Sequence, residues 1–277
     1  MTPAVIGLAL FAAVLHATWN AFLRTGADRL WTITVMSQAM GLSALPFALL
    51  LPAPDPAAWP FIALSALLQV GYSVFLVAAY RHGELGQVYP IARGSVPLMV
   101  TAGSFVFAGE RLEAVPLLGV ALVAAGIMSL ALGKTRASTA SILYALLTGL
   151  FIAGYSTSDA IGVRLTPDPN AYVAWLFVLY GVLLTATYVA MRRGFAIDFS
   201  SRATWTAIFG GVLSLLAYGA VVFAYALGPV GPVSALRETS VVFAALIGWL
   251  FLGEGISLRR ILACVVVAAG AILISYH

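Results

Sequence analysis

Apolar residues run along the chain in blocks of about 20, the length a helix needs to cross the hydrocarbon of a bilayer. Ten such blocks lie between short polar or Pro/Gly-containing breaks, near 4–23, 31–51, 60–80, 87–108, 114–132, 141–161, 171–191, 204–226, 233–252 and 259–276. Stretches such as Pro116–Leu132 and Ile261–Ile274 are apolar on every side, whereas the strands of a membrane barrel alternate with period two. The pattern predicts an all-α integral membrane protein of ten transmembrane helices, with connections too short to hold a soluble domain.

The pattern is also written twice. Tyr80–Ile127 reads YRHGELGQVYPIARGSVPLMVTAGSFVFAGERLEAVPLLGVALVAAGI, and Tyr225–Ala271 reads YALGPVGPVSALRETSVVFAALIGWLFLGEGISLRRILACVVVAAGA. Both open on Tyr, carry paired glycines (Gly83 and Gly86, Gly228 and Gly231), continue through an Arg (Arg93, Arg237), and close on Gly-Glu (Gly109-Glu110, Gly253-Glu254) and then Ala-Ala-Gly. The offset is 145 residues from Tyr80 to Val88 and 144 from Arg93 to Gly126. The expected organisation is two five-helix repeats, 1–133 and 138–277. With an odd number of helices, the second copy must enter the membrane from the opposite side. Inverted repeats of this kind place a substrate site at their interface near the midplane and work by alternating access.

Composition narrows the class further. Hydrophobic residues make up 62% and charged residues 9%, with a mean hydropathy of +1.03, against roughly 25% charged in a soluble domain. The net charge of +4 comes from Lys and Arg scattered at the ends of apolar segments, with no basic, aromatic-interleaved patch, so nucleic acid is not an expected partner. The single Cys264 excludes an internal disulfide and a cysteine-based metal site. The first apolar block lacks a basic leader and a small-residue cleavage site, and reads as a membrane helix. Loops after odd-numbered helices hold Arg24, Arg29, Arg81, Lys134, Arg136, Arg192, Arg193, Arg202, Arg259 and Arg260, whereas the others hold Arg111 and Arg164. Taken literally, that asymmetry places the odd loops in the cytoplasm and both termini outside.

Polar groups inside such helices must pair, reach an interface or face a cavity. Arg93 and Arg237 hold equivalent places near the starts of helices four and nine, and in an inverted repeat they approach the central axis from two sides. Together they would form a fork for a carboxylate, phosphate or phosphonate. Alternatively, each snorkels from a helix end, or Arg237 neutralises Glu238 or Asp159. Glu238 itself can meet a substrate ammonium or take up a proton. His16 and Asn20 share a face of helix one, with Trp19 beside them; as cavity-lining residues they compete with a helix-contact role. Tyr72 and Tyr89 are the better cavity candidates among the tyrosines, whereas Tyr80 and Tyr225, each ending a helix, suit an interfacial belt. Gln38 and Gln69 serve either substrate or neighbouring helices. Pro90 and Pro97 interrupt the hydrogen bonding of helix four; helix nine has no Pro after Pro232, so a bend there needs another source. Glu110 and Glu254 stand at helix ends, where fixing a turn is the expected role. No metal, cofactor or enzyme constellation is present, and with no soluble motor any energy must come from a gradient.

The order and repetition of YRHGELGQVYPIARGSVPL with FAGERL, and of YALGPVGPVSALRETSVVFAALIGWLFLGE, resemble the EamA-type ten-helix members of the drug/metabolite transporter superfamily over essentially the whole chain. The resemblance implies two EamA repeats around a central cavity lined by helices one, three, four, eight and nine. It also implies a multi-pass protein of the bacterial inner membrane that exports small metabolites, often amino acids, as in the YddG-like branch. Trp19-Asn20 and the Arg93 segment resemble EamA proteins associated with phosphonate utilisation. Many EamA proteins have a basic second loop that fits cytoplasmic termini; here 51–60 contains Asp55 and no base, so the charge count and the family habit point opposite ways. The expected function is secondary transport of a small amino acid or other carboxylate- or phosphonate-bearing metabolite. Arg93, Tyr89, Tyr72, His16, Trp19, Asn20, Arg237 and Glu238 form the expected site, the lipid bilayer is the surroundings, and one chain supplies both repeats. The alternatives are a multidrug exporter of lipophilic cations held by Glu238 or Asp159, and a membrane-embedded enzyme.

Overall fold

The computed structural model describes residues 1–23, 28–82, 85–132, 138–252 and 257–276; side chains at 19–23, 80–82, 85–87 and 251–252 also lie outside the description. Among the described residues all regular structure is helical: α1 (Pro3–Leu23), α2 (Arg29–Leu50), α3 (Trp59–His82), α4 (Leu85–Phe107), α5 (Ala114–Ser129), α6 (Thr139–Arg164), α7 (Pro169–Arg192), α8 (Arg202–Leu227), α9 (Val230–Glu238), α10 (Ser240–Leu252) and α11 (Leu258–Ser275). Seven spans are long and apolar enough to cross a membrane, Val230–Leu250 counted as one, beside shorter apolar helices at Pro3–Thr18 and Ala114–Ser129. Leu49, Leu50, Phe47 and Phe107 stand exposed on the outside, which in water would be an aggregating surface and in lipid is the expected one. The chain is a multi-pass membrane protein.

The helices start where the sequence supplies caps. Asp28, Ser138, Asp168, Ser201 and Ser257 each accept a hydrogen bond from a backbone N–H of the first turn with a side-chain oxygen, satisfying donors that would otherwise be orphaned. The ten expected helices are recovered to within a few residues, with one correction: the ninth is two pieces, broken at Thr239. No proline is responsible. The Thr239 hydroxyl donates to the Leu236 carbonyl at 2.6 Å, and its amide bonds the same oxygen at 3.1 Å, closing α9 with a tight turn before α10 resumes.

Packing places α1, α3, α4, α6, α8 and α9 around the middle, with α2 against α7 on one flank and α5 against α11 on the other. Both flanking pairs run antiparallel. On α5 and α11, a Cβ at Gly119 would lie 2.7 Å from the Gly270 carbonyl, while one at Gly126 would lie 3.2 Å from that of Ala263. On α2 and α7, Gly41 meets the Phe177 carbonyl (3.1 Å) and Gly181 that of Ser37 (2.9 Å). Small residues let backbones touch, which is how helices associate where lipid offers no hydrophobic drive. Gln38 is resolved by this seam: its side-chain N–H groups go to the Gly181 carbonyl at 3.1 Å and to the Thr185 hydroxyl, so it serves a neighbouring helix.

The loops sort onto two faces. Arg192 pairs with Asp28 at 3.5 Å and Trp31 Nε1 donates to the Ala196 carbonyl at 3.0 Å, joining the ends of α2 and α7. Elsewhere, Arg164 pairs with Glu110 at 2.7 Å and bonds the carbonyls of Tyr225 and Gly228. Glu110 thus does more than fix its own turn: its Oε2 accepts the Val230 N–H at 2.9 Å, placing a carboxylate on the positive end of α9.

Candidate functional site

Arg93 and Arg237 meet in the interior. Arg93 projects from α4, where Pro97 removes the amide that would have bonded the Arg93 carbonyl. Arg237 and Glu238 end α9, all nine residues of which are buried. The three charged residues are 5%, 3% and 0% exposed, so neither arginine snorkels. Glu238 Oε1 accepts from Arg93 Nη1 at 3.2 Å, from Arg237 Nε at 3.2 Å and from Arg237 Nη2 at 3.0 Å. Its other oxygen, Oε2, is buried without a hydrogen-bond partner among the described residues. Two guanidiniums therefore share one carboxylate oxygen, and the trio carries an excess positive charge.

The predicted neighbours gather around this trio. Arg93 Nη2 is in hydrogen-bond contact with His16 Nε2; because a guanidinium only donates, that ring nitrogen accepts and the imidazole proton sits on Nδ1. The Arg93 guanidinium carbon lies 5.7 Å from the Tyr89 ring centre, within cation–π range. Tyr72 lies within electrostatic range of Arg93, Arg237 and Glu238. The side chains of Trp19 and Asn20 fall outside the described residues, so six of the eight expected residues are seen together.

A second polar region lies beside the first, of which sequence reasoning gives a functional role only to Asp159, as a charge partner. Tyr155, in the run Tyr155-Ser-Thr-Ser-Asp159 of α6, stacks edge-on against Tyr72 at 6.0 Å and against Tyr218 at 5.6 Å. Fully buried Asp159 accepts from the hydroxyls of Tyr172, at 2.9 Å, and Tyr218. Ser156 and Ser234 flank the buried Tyr225 hydroxyl. Tyr225 corrects an expectation: it is wholly buried and forms no interfacial belt, because Arg164 bonds its carbonyl and Val5 of α1 packs on nearby Gly228. The signal was five consecutive polar positions inside an apolar helix, a run that membrane burial makes costly. Among the described residues no three His, Cys, Asp or Glu side chains come together to hold a metal. A cavity of about 270 Å³ between α10 and α11 is lined by Val242, Leu246, Ile261, Cys264 and Arg260 among others and shares no residue with the charged trio.

Against known proteins, residues 139–276 match the EamA-like transporter family. The matched span holds Asp159, Tyr218, Arg237 and Glu238, and thus two of the three charged side chains of the trio. The chain is 26% identical over 224 residues to the "Uncharacterized transporter YwfM" of Bacillus subtilis (strain 168), covering 79% of this chain and 74% of that one. A solved crystal structure superposes with a TM-score of 0.79 at 17% identity, over 99% of this chain and 96% of the other; at that identity the likeness speaks for the fold alone. The second half of this multi-pass helical chain is thus similar to EamA-like transporters.

Proposed function

We propose that the chain is a secondary transporter, of the YddG-like branch, that exports small metabolites bearing a carboxylate or phosphonate, amino acids first among them, across the bacterial inner membrane. The observation that carries this reading is the meeting of two buried guanidiniums on a single carboxylate oxygen. A bidentate anion suits that fork, and a site in a low-dielectric interior with one positive charge in excess favours an anionic guest. Glu238 occupies the place that the guest's carboxylate would take, and its release from Arg93 would free α4 from α9.

Alternating access by two inverted five-helix repeats, 1–133 and 138–277, completes the proposal. It is supported by the antiparallel crossings of α2 with α7 and of α5 with α11, each joining equivalent helices of the two copies. It is supported too by the packing partners: exchanging each helix for its counterpart turns α3–α6 into α8–α1 and α4–α6 into α9/α10–α1, all of which are packed. The broken ninth helix at the charged pair fits transporter sites built on discontinuous helices.

A counterflow screen of the purified protein in liposomes against amino acids, phosphonates and sugars tests the reading. Exchange of a carboxylate- or phosphonate-bearing compound is expected, reduced at least tenfold in Arg93→Ala and only partly restored by Arg93→Lys, which keeps the charge but loses the fork. Normal anion exchange in Arg93→Ala would remove the anchor. The rival reading, export of lipophilic cations on Glu238, meets a carboxylate already held by three N–H donors; binding of a quaternary ammonium dye that Glu238→Gln abolishes would restore it.

A further inference from the structure

The roles given so far leave Asp159 unused. It is held by neutral hydroxyls: Tyr172 of α7 on Oδ1 and Tyr218 of α8 on Oδ2, with Ser65 of α3 approaching and Gln69 bonded in turn to Ser65 at 3.3 Å. Glu238, by contrast, is clasped by two cations. Of the two buried carboxylates among the described residues, Asp159 is therefore the one with no described guanidinium in contact. Arg237 nevertheless lies within its electrostatic range, and the edge-stacked rings of Tyr72, Tyr155 and Tyr218 join the two regions.

The charges of the combined site sum simply. Arg93 and Arg237 are positive and Glu238 and Asp159 negative, so with both carboxylates ionised the interior is neutral, His16 being held as a hydrogen-bond acceptor. An anion entering that neutral site leaves an uncompensated charge, which a low-dielectric interior resists. If Asp159 first takes a proton from water, the site becomes positive and the same anion restores neutrality. The proton also changes the bonding. An ionised carboxylate only accepts, whereas a carboxylic acid also donates from one oxygen, so the added proton needs an acceptor among Tyr172, Tyr218 and Ser65. The remaining groups within electrostatic range of Asp159 are Tyr225 of α8 and Arg237 of α9.

From this arrangement we infer that Asp159 is the coupling site of the transporter: it takes up one proton with each anionic substrate bound at Arg93 and Arg237, so that proton and anion leave together and the anion's own outward gradient drives export. This rests on the anion-site reading above.

Two measurements on the full chain in lipid nanodiscs test it. Infrared difference spectra on acidification should show a protonated carboxyl C=O band in the wild type and in Glu238→Gln, and none in Asp159→Asn. Binding of benzoate, which stays ionised across the range, should tighten as pH falls, by up to about tenfold per pH unit for one linked proton. In Asp159→Asn it should be independent of pH and as tight as in the acid form of the wild type. Tyr218→Phe, which keeps the carboxyl, should shift the midpoint of that dependence while preserving its amplitude. A band or a pH dependence that survives in Asp159→Asn, or a midpoint unmoved in Tyr218→Phe, overturns the coupling role. Absence of benzoate binding at every pH overturns the anion site itself.

Discussion

Arg93-Gly94-Ser95 and Arg237-Glu238-Thr239 stand 144 residues apart in the two copies, and they share more than the arginine. Ser95 donates to the Ala92 carbonyl at 2.9 Å and Thr239 to that of Leu236 at 2.6 Å, the same bond three residues back. Yet α4 continues through Ser95 to Phe107, while α9 stops before Thr239. The difference goes with the middle residue. At Gly94 a Cβ would come within 3.1 Å of both the Ala124 carbonyl and the Met128 amide, so glycine there lets α4 lie against the α5 backbone. At 238 the chain carries a carboxylate drawn onto two guanidiniums. One copy has kept the position for packing and the other has given it a charge.

Three substitutions probe this division, in falling order of effect. Glu238→Ala leaves two buried guanidiniums without their carboxylate and should lower stability by about 3–5 kcal/mol, read as a drop in the unfolding midpoint in detergent; a loss near zero would mean that the trio is already solvated. Gly94→Ala should cost about 1–3 kcal/mol by overpacking, without changing the charge of the site. Should it cost nothing, the close approach to α5 is not needed. Thr239→Val should cost about 0.5–1.5 kcal/mol for one lost hydrogen bond, and Ser95→Ala a similar amount. If the second costs clearly more, the shared bond does different work in the two copies.

How much of this was legible in the sequence follows from what a membrane enforces. The ten spans were readable because hydrocarbon demands uninterrupted apolar length, and their approximate ends because short polar or Pro/Gly-containing breaks separate them. The meeting of Arg93 with Arg237 followed from the duplication. The pairing of Arg93 with Glu238 did not, since it joins residues 145 apart whose rotamers only the packed interior fixes. The break at Thr239 was hidden because no proline announces it. Tyr225 was misread because closeness to a helix end stood in for exposure, whereas α1 and Arg164 cover that end. Asp159 was visible as a charge, but the ring of hydroxyls around it comes from three other helices.

The seam between α5 and α11 has a consequence of its own. Gly119 faces Gly270 and Gly126 faces Ala263, and these are corresponding positions of the two copies, with the partner turned end over end. Such a surface is its own complement, so a single stretch of code specifies both sides of the joint. Halves synthesised as separate polypeptides would each carry the full instructions for finding the other, with no linker to guide them.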